Sequence, residues 1–373
     1  MSETVCTGCG GVIDYTGIDP FTVCECSDCG AELIIPLELD FLKLEKHIRR
    51  QKCFEVYQGF DSSNNINSMI FVLDPQCNDY NECLQLAKRE AEVLTTLKHA
   101  NICPLINYGE VAGHFFICEP FMDGYSLSSY APDSQGVLDV EKVVDVVQAS
   151  ALGLAVSHHK EIPHHDLCAE NVHIDARGNV RIKNFFISRF VAAYEHLKED
   201  KSSVSPYYIS PEKAECVLED KRGDIFSFGV LFFYMLTGKF PFVGRNDMET
   251  VYSRVCKKEK STEQVFSTTE HRILTPETVE YVPPVSPASI RPDIPAPISN
   301  IILRMLEYHP YKRPTMPEIL DVISLYKAQE QQARELVAAQ RDMVTTKTRA
   351  IPKMGNLSGR LNKENEKRKK FFF

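Results

Sequence analysis

Four cysteines near the start of the chain have the spacing of a metal site. Cys6-Thr-Gly-Cys9-Gly10 and Cys26-Ser-Asp-Cys29-Gly30 repeat one pattern, a pair of thiols two residues apart and then a glycine. Each pair places its sulfurs on one tight turn, and the glycine supplies the positive φ that closes it. Four thiolates suit a tetrahedral Zn²⁺ held by Cys6, Cys9, Cys26 and Cys29. Cys24 lies two residues before Cys26 and would break the symmetry of the turns, so it is not expected to be a ligand. A segment of about 36 residues buries too little apolar surface to fold unaided, so residues 1–36 need the metal. The other cysteines, among them Cys53, Cys77, Cys83, Cys103, Cys118 and Cys168, are expected to be small residues, many of them buried.

The rest of the chain frames this module. Of 373 residues, 43% are hydrophobic and 25% charged, the balance of a soluble globular protein of about two domains. A net charge of -9 argues against nucleic-acid binding by the protein as a whole. No run of about 18 apolar residues predicts a transmembrane helix. Met1–Gly11 lacks the basic-then-apolar pattern of a secretory signal. Paired CxxC turns point to metal in a reducing, cytoplasmic compartment rather than to disulfides. Residues 41–326 read as one globular body. Within it Thr275–Pro297 is rich in proline and is expected to be an extended surface excursion, because proline removes backbone donors and blocks helix. Met316–Val344 has helical character, with Pro317 placed to open the helix at its first turn. Residues 327–346 form its C-terminal part. Residues 347–373 are basic, lack periodicity and are expected to be disordered. They end in Lys367-Arg368-Lys369-Lys370 and Phe371-Phe372-Phe373, suited to a solvated end or to docking on an acidic protein or anionic membrane surface.

Three further stretches carry a family likeness. The first is Arg89-Glu90-Ala91-Glu92-Val93-Leu94, apolar at helical spacing and followed by a break and a strand. The second is His164-His165-Asp166-Leu167-Cys168-Ala169-Glu170-Asn171 before the short strand Val172-His173-Ile174. The third runs from Tyr207-Tyr208-Ile209-Ser210-Pro211-Glu212 through Arg222-Gly223-Asp224-Ile225-Phe226-Ser227-Phe228-Gly229 to Leu236-Thr237-Gly238-Lys239-Phe240-Pro241, closed by Arg313-Pro314. In this order and spacing they resemble the eukaryotic-type serine/threonine protein kinases, which bacteria also carry. The resemblance implies an α+β, two-lobed protein-kinase-like fold over residues 41–326, preceded by a small β zinc ribbon at 1–36. It implies a sheet-plus-helix small lobe, a helical large lobe and a nucleotide cleft between them. Glu119-Pro120-Phe121-Met122 would form the hinge, with Cys118 as gatekeeper. Asp224 would tie the catalytic loop to a buried helix, and Glu212 would pair with Arg313.

The same resemblance exposes what is missing. The three phosphate-loop glycines fall on Arg49, Gln51 and Phe54, and the phosphate-binding lysine falls on Phe71. Glu90, that lysine's partner, is present and is expected to be solvated or paired elsewhere. Asn184-Phe185-Phe186 stands where a metal-binding Asp opens its triplet, and a neutral Asn cannot neutralise Mg²⁺. His165 and Cys168 replace the family's Arg and Lys. Asp166 and Asn171 survive as remnants, with Glu119, Phe121 and Glu90 marking a degenerate nucleotide cleft. Phosphoryl transfer rests on positioning and charge neutralisation, so Mg-ATP is expected to bind weakly or not at all. The expected function is a pseudokinase scaffold or regulatory module for a protein partner. One alternative is a weak, unconventional ATP-dependent serine/threonine kinase drawing charge from Arg49, Arg50, Lys52 or Lys183. Another is a zinc-ribbon adaptor for nucleic acid, disfavoured by Asp14, Asp19, Glu25, Asp28 and Glu32.

Overall fold

The structure, a computed structural model, describes residues 3–6, 8–18, 22–34, 38–111, 113–129, 138–198, 205–215, 219–244 and 284–349. The chain divides into two units, residues 1–323 and residues 324–373.

The first unit opens with two small antiparallel hairpins. Strands β1 (Glu3–Val5) and β2 (Val12–Asp14) flank the first CxxC turn, and β3 (Val23–Glu25) and β4 (Glu32–Ile34) flank the second. The turns share one hydrogen-bond pattern: Cys6 N donates to Gly11 O and Gly10 N to Cys6 O, as Cys26 N does to Ala31 O and Gly30 N to Cys26 O. Gly10 and Gly30 have φ of +75° and +69°, the left-handed backbone that the glycine spacing predicts.

A six-stranded antiparallel sheet follows, built from β5 (Glu38–Leu39), β6 (Leu42–Gln51), β7 (Phe54–Asp61), β8 (Ile66–Leu73), β9 (Asn107–Val111) and β10 (His114–Pro120). Its order is β5-β6-β7-β8-β10-β9. Alternation divides the sheet into two faces. Leu42, Leu44, Tyr57, Ile70, Val72, Phe116 and Cys118 pack together on one. Register puts Arg49, Val56, Phe71 and Ile117 in a row on the other, with Phe54 and Glu119 two residues along their strands. Helix α1 (Tyr80–Thr95) buries Cys83, Leu86, Ala87, Glu90, Ala91 and Leu94 at helical spacing.

The large lobe has a three-stranded sheet of β11 (Tyr125–Ser126), β12 (Val172–Ile174) and β13 (Val180–Ile182). Its helices are α2 (Val140–His159), α3 (Phe185–Lys198), α4 (Pro211–Ala214), α5 (Lys221–Thr237), α6 (Pro287–Ile290), α7 (Ala296–Met305) and α8 (Met316–Arg349). Asp139 caps α2 by accepting from Glu141 N and Lys142 N. Helix α5 is apolar and buried almost all round, which makes it the axis of this lobe. Among the described residues no helix is long and apolar enough to cross a membrane.

Two expectations need correction. The described part of the proline-rich stretch, residues 284–297, holds α6 and the start of α7 rather than an extended excursion, with a proline in the first turn of each helix. There the missing N–H has no intrahelical partner to lose and the fixed φ already suits a helix. Residues 275–283 lie outside the described residues. Helix α8 continues to Arg349, so residues 347–349 are helical, and the remainder of the basic tail, 350–373, also lies outside the described residues. Within the first unit α8 buries Met316, Ile319 and Ile323. In the second unit Leu325, Leu336 and Val337 of this helix are exposed.

Candidate functional site: a cleft closed by aromatic side chains

The loop before β12 is fixed from α5. Asp224 is buried and accepts from the backbone N–H of His164 (2.7 Å) and His165 (2.8 Å), with His158 Nε2 at 2.9 Å. Burial alone would raise this carboxyl. The hydrogen bond and charge of His158 outweigh it and hold Asp224 below the usual carboxylate range. Arg313 closes the large lobe with a bidentate pair to Glu212 at 2.6 and 2.7 Å, and also donates to the carbonyls of Glu307, Tyr308 and Arg222. The two framework roles that the resemblance implies, for Asp224 and for Glu212 with Arg313, are therefore met.

Asp166 and Asn171 on that loop and Asn184, after β13, form a hydrogen-bonded chain. Asn171 Nδ2 donates to Asp166 O (2.7 Å) and Oδ2 (3.2 Å), and Asn184 Nδ2 donates to Asn171 Oδ1 at 2.7 Å. Asn184 has φ +66°, a left-handed backbone that Asn tolerates better than most residues. Burial pushes the Asp166 carboxyl up to about 6, opposed by the Lys213 ammonium and the Asn171 amide. The arrangement offers one half-buried carboxylate and two amides bonded to each other. A Mg²⁺ site in a kinase needs a second carboxylate here.

Above the loop, aromatic rings fill the space beneath β6 and β7. Gln51 pairs with Phe54, so this hairpin is closed down to its turn at Lys52 and Cys53, and Lys52 has φ +53°. Phe54 meets Phe186 and Phe190 edge-on, with centroids 5.3 and 4.9 Å apart, and Phe71 meets Phe186 at 6.2 Å. All four rings are fully buried. Phe186 and Phe190 come from α3, which begins directly after Asn184. The same helix supplies Arg189, whose Nε and Nη2 lie 2.8 and 2.7 Å from Glu90 Oε2. Arg189 also donates to Pro163 O, while Arg89 reaches Glu90 Oε1 at 3.1 Å. Glu90 is thus buried and paired, the second of the two outcomes foreseen for it. Further along α3, Glu195 lies 3.7 Å from Lys52 at the hairpin turn.

The hinge needs a correction. Cys118 packs on the far face of the sheet with Ile70, Val72 and Phe116, so it does not face the cleft. Glu119 does: it lines a cavity with Leu94, Leu97, Cys103, Leu105 and Phe185. A shift of one residue along a strand exchanges its faces. Burial pushes Glu119 up to about 7, opposed by the Lys183 ammonium, the Asn184 N–H and the Arg49 guanidinium. The N–H of Phe121 donates to Asn67 O at 2.8 Å. The carboxyls of Glu119 and Glu90 and the N–H of Phe121 are therefore engaged within the protein, while the Phe121 side chain is exposed. Of the cations considered as substitutes, Arg50 pairs with Asp74 and Glu55, Lys52 with Glu195, Arg49 bonds to Gln51, and the charges of Lys183 and Arg49 act on Glu119.

The N-terminal thiols converge. Cys6 and Cys29 Sγ are 3.6 Å apart and Cys9 and Cys26 Sγ 3.7 Å apart, and all four sulfurs lie within 4.8 Å of one another. A tetrahedron with Zn–S bonds of about 2.3 Å has edges of about 3.8 Å, so this donor set fits Zn²⁺. Backbone N–H groups of Cys9 and Gly8 lower the Cys6 thiol. Against the N–H groups of Gly11 and Ala31, the neighbouring thiols and burial raise Cys9 and Cys29, the mutual repulsion expected of four thiolates crowded together without a cation between them. The two hairpins and their cysteines are consistent with a zinc ribbon.

A sheet-plus-helix lobe, a helical lobe around α5 and an Asp224-anchored loop between them define a protein-kinase fold. The family described as "Protein kinase domain" matches residues 52–322, and the chain belongs to it. Among curated proteins it is 25% identical over 233 residues to the serine/threonine-protein kinase PrkC of Bacillus subtilis, covering 62% of this chain and 32% of that protein. It is 34% identical over 201 residues to the serine/threonine-protein kinase pkn2 of Myxococcus xanthus, covering 51% of this chain and 23% of that protein. The chain thus spans a third or less of either relative's length. The fold matches the crystal structure of the Mycobacterium tuberculosis PknI kinase domain with a TM-score of 0.54 at 21% identity, covering 77% of this chain and 96% of that one.

Three features of the cleft escape a motif-by-motif reading. Helix α3 was signalled by Phe186, Phe190 and Tyr194 at a spacing of four, which stack in sequence. The inward turn of Glu119 had no such signal, because Phe116 and Cys118 are as apolar as Phe115 and Ile117 and only the register against β8 sets the facing. Nothing in the sequence tied Arg189 to Glu90, 99 residues away.

Proposed function

We propose that this chain is a pseudokinase, a kinase-shaped scaffold or regulatory module whose cleft does not carry out phosphoryl transfer. The observation that carries the reading is the packing of Phe54, Phe71, Phe186 and Phe190 into one cluster where the phosphates of a nucleotide would lie. Support also comes from the Asp166–Asn171–Asn184 chain, which lacks a second carboxylate for Mg²⁺. Capture of Glu90 by Arg189 leaves no carboxylate to orient a phosphate-binding lysine. Cys6, Cys9, Cys26 and Cys29 would hold a structural zinc, whose chemistry is to cross-link two hairpins too small to fold alone. The intact framework around Asp224 and Arg313 suits a surface that binds a protein partner. The test is nucleotide binding and phosphoryl transfer by the purified full-length chain, with the kinase relatives as precedent for activity. No thermal shift with Mg-ATP and no label transfer to a general substrate are expected. Micromolar Mg-ATP binding with transfer abolished by Asp166→Asn would favour the unconventional-kinase reading instead.

A further inference from the structure

A second group of thiols lies in the small lobe, away from the ribbon. Cys53 sits in the β6–β7 turn, Cys77 follows β8, and Cys83 is in the first turn of α1. Their three Sγ atoms lie within 4.8 Å of one another, and Cys53 and Cys83 Sγ are 3.7 Å apart. Cys77 and Cys83 are six residues apart, on the turn that leads into α1 and in that helix's first turn, while Cys53 comes from a hairpin 24 residues before Cys77. Cys53 and Cys83 are buried and Cys77 is half-buried, so the cluster has one side toward solvent. The backbone around it is set by hydrogen bonds that do not involve sulfur: Asp74 N to Cys53 O, Cys77 N to Asp74 O, and Cys83 N to Asp79 O. The sulfur separation equals that across the ribbon knuckles, 3.7 Å between Cys9 and Cys26.

We propose that Cys53, Cys77 and Cys83 form a second metal site, a three-thiolate site for Zn²⁺ with its fourth position open to solvent. Three converging sulfurs favour a thiophilic ion over a disulfide, which would use two and leave one over. Thiolates at about 2.3 Å from zinc sit about 3.8 Å from each other, close to the 3.7 Å between Cys53 and Cys83, and the Cys77 sulfur lies within 4.8 Å of both. Bound metal would fasten the β6–β7 turn to α1, and so hold Phe54 over the aromatic cluster and fix the helix that carries Glu90. This inference does not depend on whether the cleft transfers phosphate.

The experiment is zinc analysis of the full-length chain, purified under reducing conditions. About two zinc ions per chain are expected. The ribbon variant Cys6→Ser/Cys9→Ser/Cys26→Ser/Cys29→Ser should keep about one. Adding Cys77→Ser, at the half-buried position, should release that remaining zinc, because two thiolates are left to hold it. Should Cys77→Ser misfold, Co²⁺ titration of the ribbon variant decides alone, because it leaves the three thiols native. A thiolate-to-cobalt charge-transfer band at one equivalent supports the site. A ribbon variant that holds neither zinc nor cobalt overturns it, as does an intact mass showing a disulfide between any two of the three cysteines in the freshly purified protein.

Discussion

Glu119 gives the most quantitative handle on the cleft. Its carboxyl is buried at the end of β10, against Phe185 and the inner side of α1, with only Lys183, Arg49 and one backbone N–H to offset the loss of water. Burial raises it from 4.5 to about 7. A carboxyl that titrates higher folded than unfolded keeps its proton better in the folded state. Between those two values the folded chain therefore binds more protons, and stability falls as pH rises. At about 1.4 kcal/mol per pH unit, the gap from 4.5 to about 7 amounts to about 3 kcal/mol. Most of it, about 2 to 3 kcal/mol, is lost between about pH 5 and pH 8. Glu119→Gln keeps the shape and removes the titration. The stability of the variant relative to the parent should then improve by about 2 to 3 kcal/mol on going from pH 5 to pH 8, read from urea unfolding at each pH. Asp166, also raised by burial, and Asp224, lowered, are common to both proteins and cancel in the difference. If the two stability-versus-pH curves run parallel, Glu119 is not a buried ionising group and the inward register of β10 is wrong.

Other outcomes follow from the same geometry. Arg189→Met removes the buried partner of Glu90 and leaves only the largely exposed Arg89 against it, so it should cost about 1 to 3 kcal/mol by urea unfolding, whereas loss of an exposed pair would cost under about 1 kcal/mol. The double change Phe71→Lys/Asn184→Asp should not bring Mg-ATP binding into the low micromolar range by calorimetry, because Phe54 and Phe186 still fill the space and Arg189 still holds Glu90. Cys9→Ser should release zinc and abolish amide-exchange protection in the ribbon, while the unfolding transition of the kinase-fold body stays in place; protection that survives without metal would refute a structural zinc. Deleting Lys367–Phe373 should leave the melting temperature unchanged and weaken sedimentation with anionic vesicles at low salt; equal sedimentation would make the tail a solvated end.

Residue identity and spacing determined much of this protein. The two CxxC-Gly turns were legible, because such a turn is local and its glycine φ is set within a few residues. The Asp224 and Arg313 framework and the replacements Phe71 and Asn184 were legible because each sits at a fixed offset in a linear motif. Helix α8 was legible from composition and Pro317. What tertiary structure alone decided are the pairings of residues far apart in the chain. Alternation could show that Cys118 and Glu119 point oppositely, but which of them faces the cleft depends on the register of β10 against β8, a long-range choice. The proline-rich stretch misled because proline blocks a helix interior and favours its first turn, and packing chooses between these. That α3 folds into the cleft depends on Phe54 and Phe71, whose burial draws Phe186 and Phe190 in, and on the low-dielectric setting in which Glu90 requires Arg189. The meeting of Cys53 with Cys77 and Cys83 likewise exists only once the β6–β7 hairpin turn has been brought against the start of α1, since no sequence spacing encodes that contact.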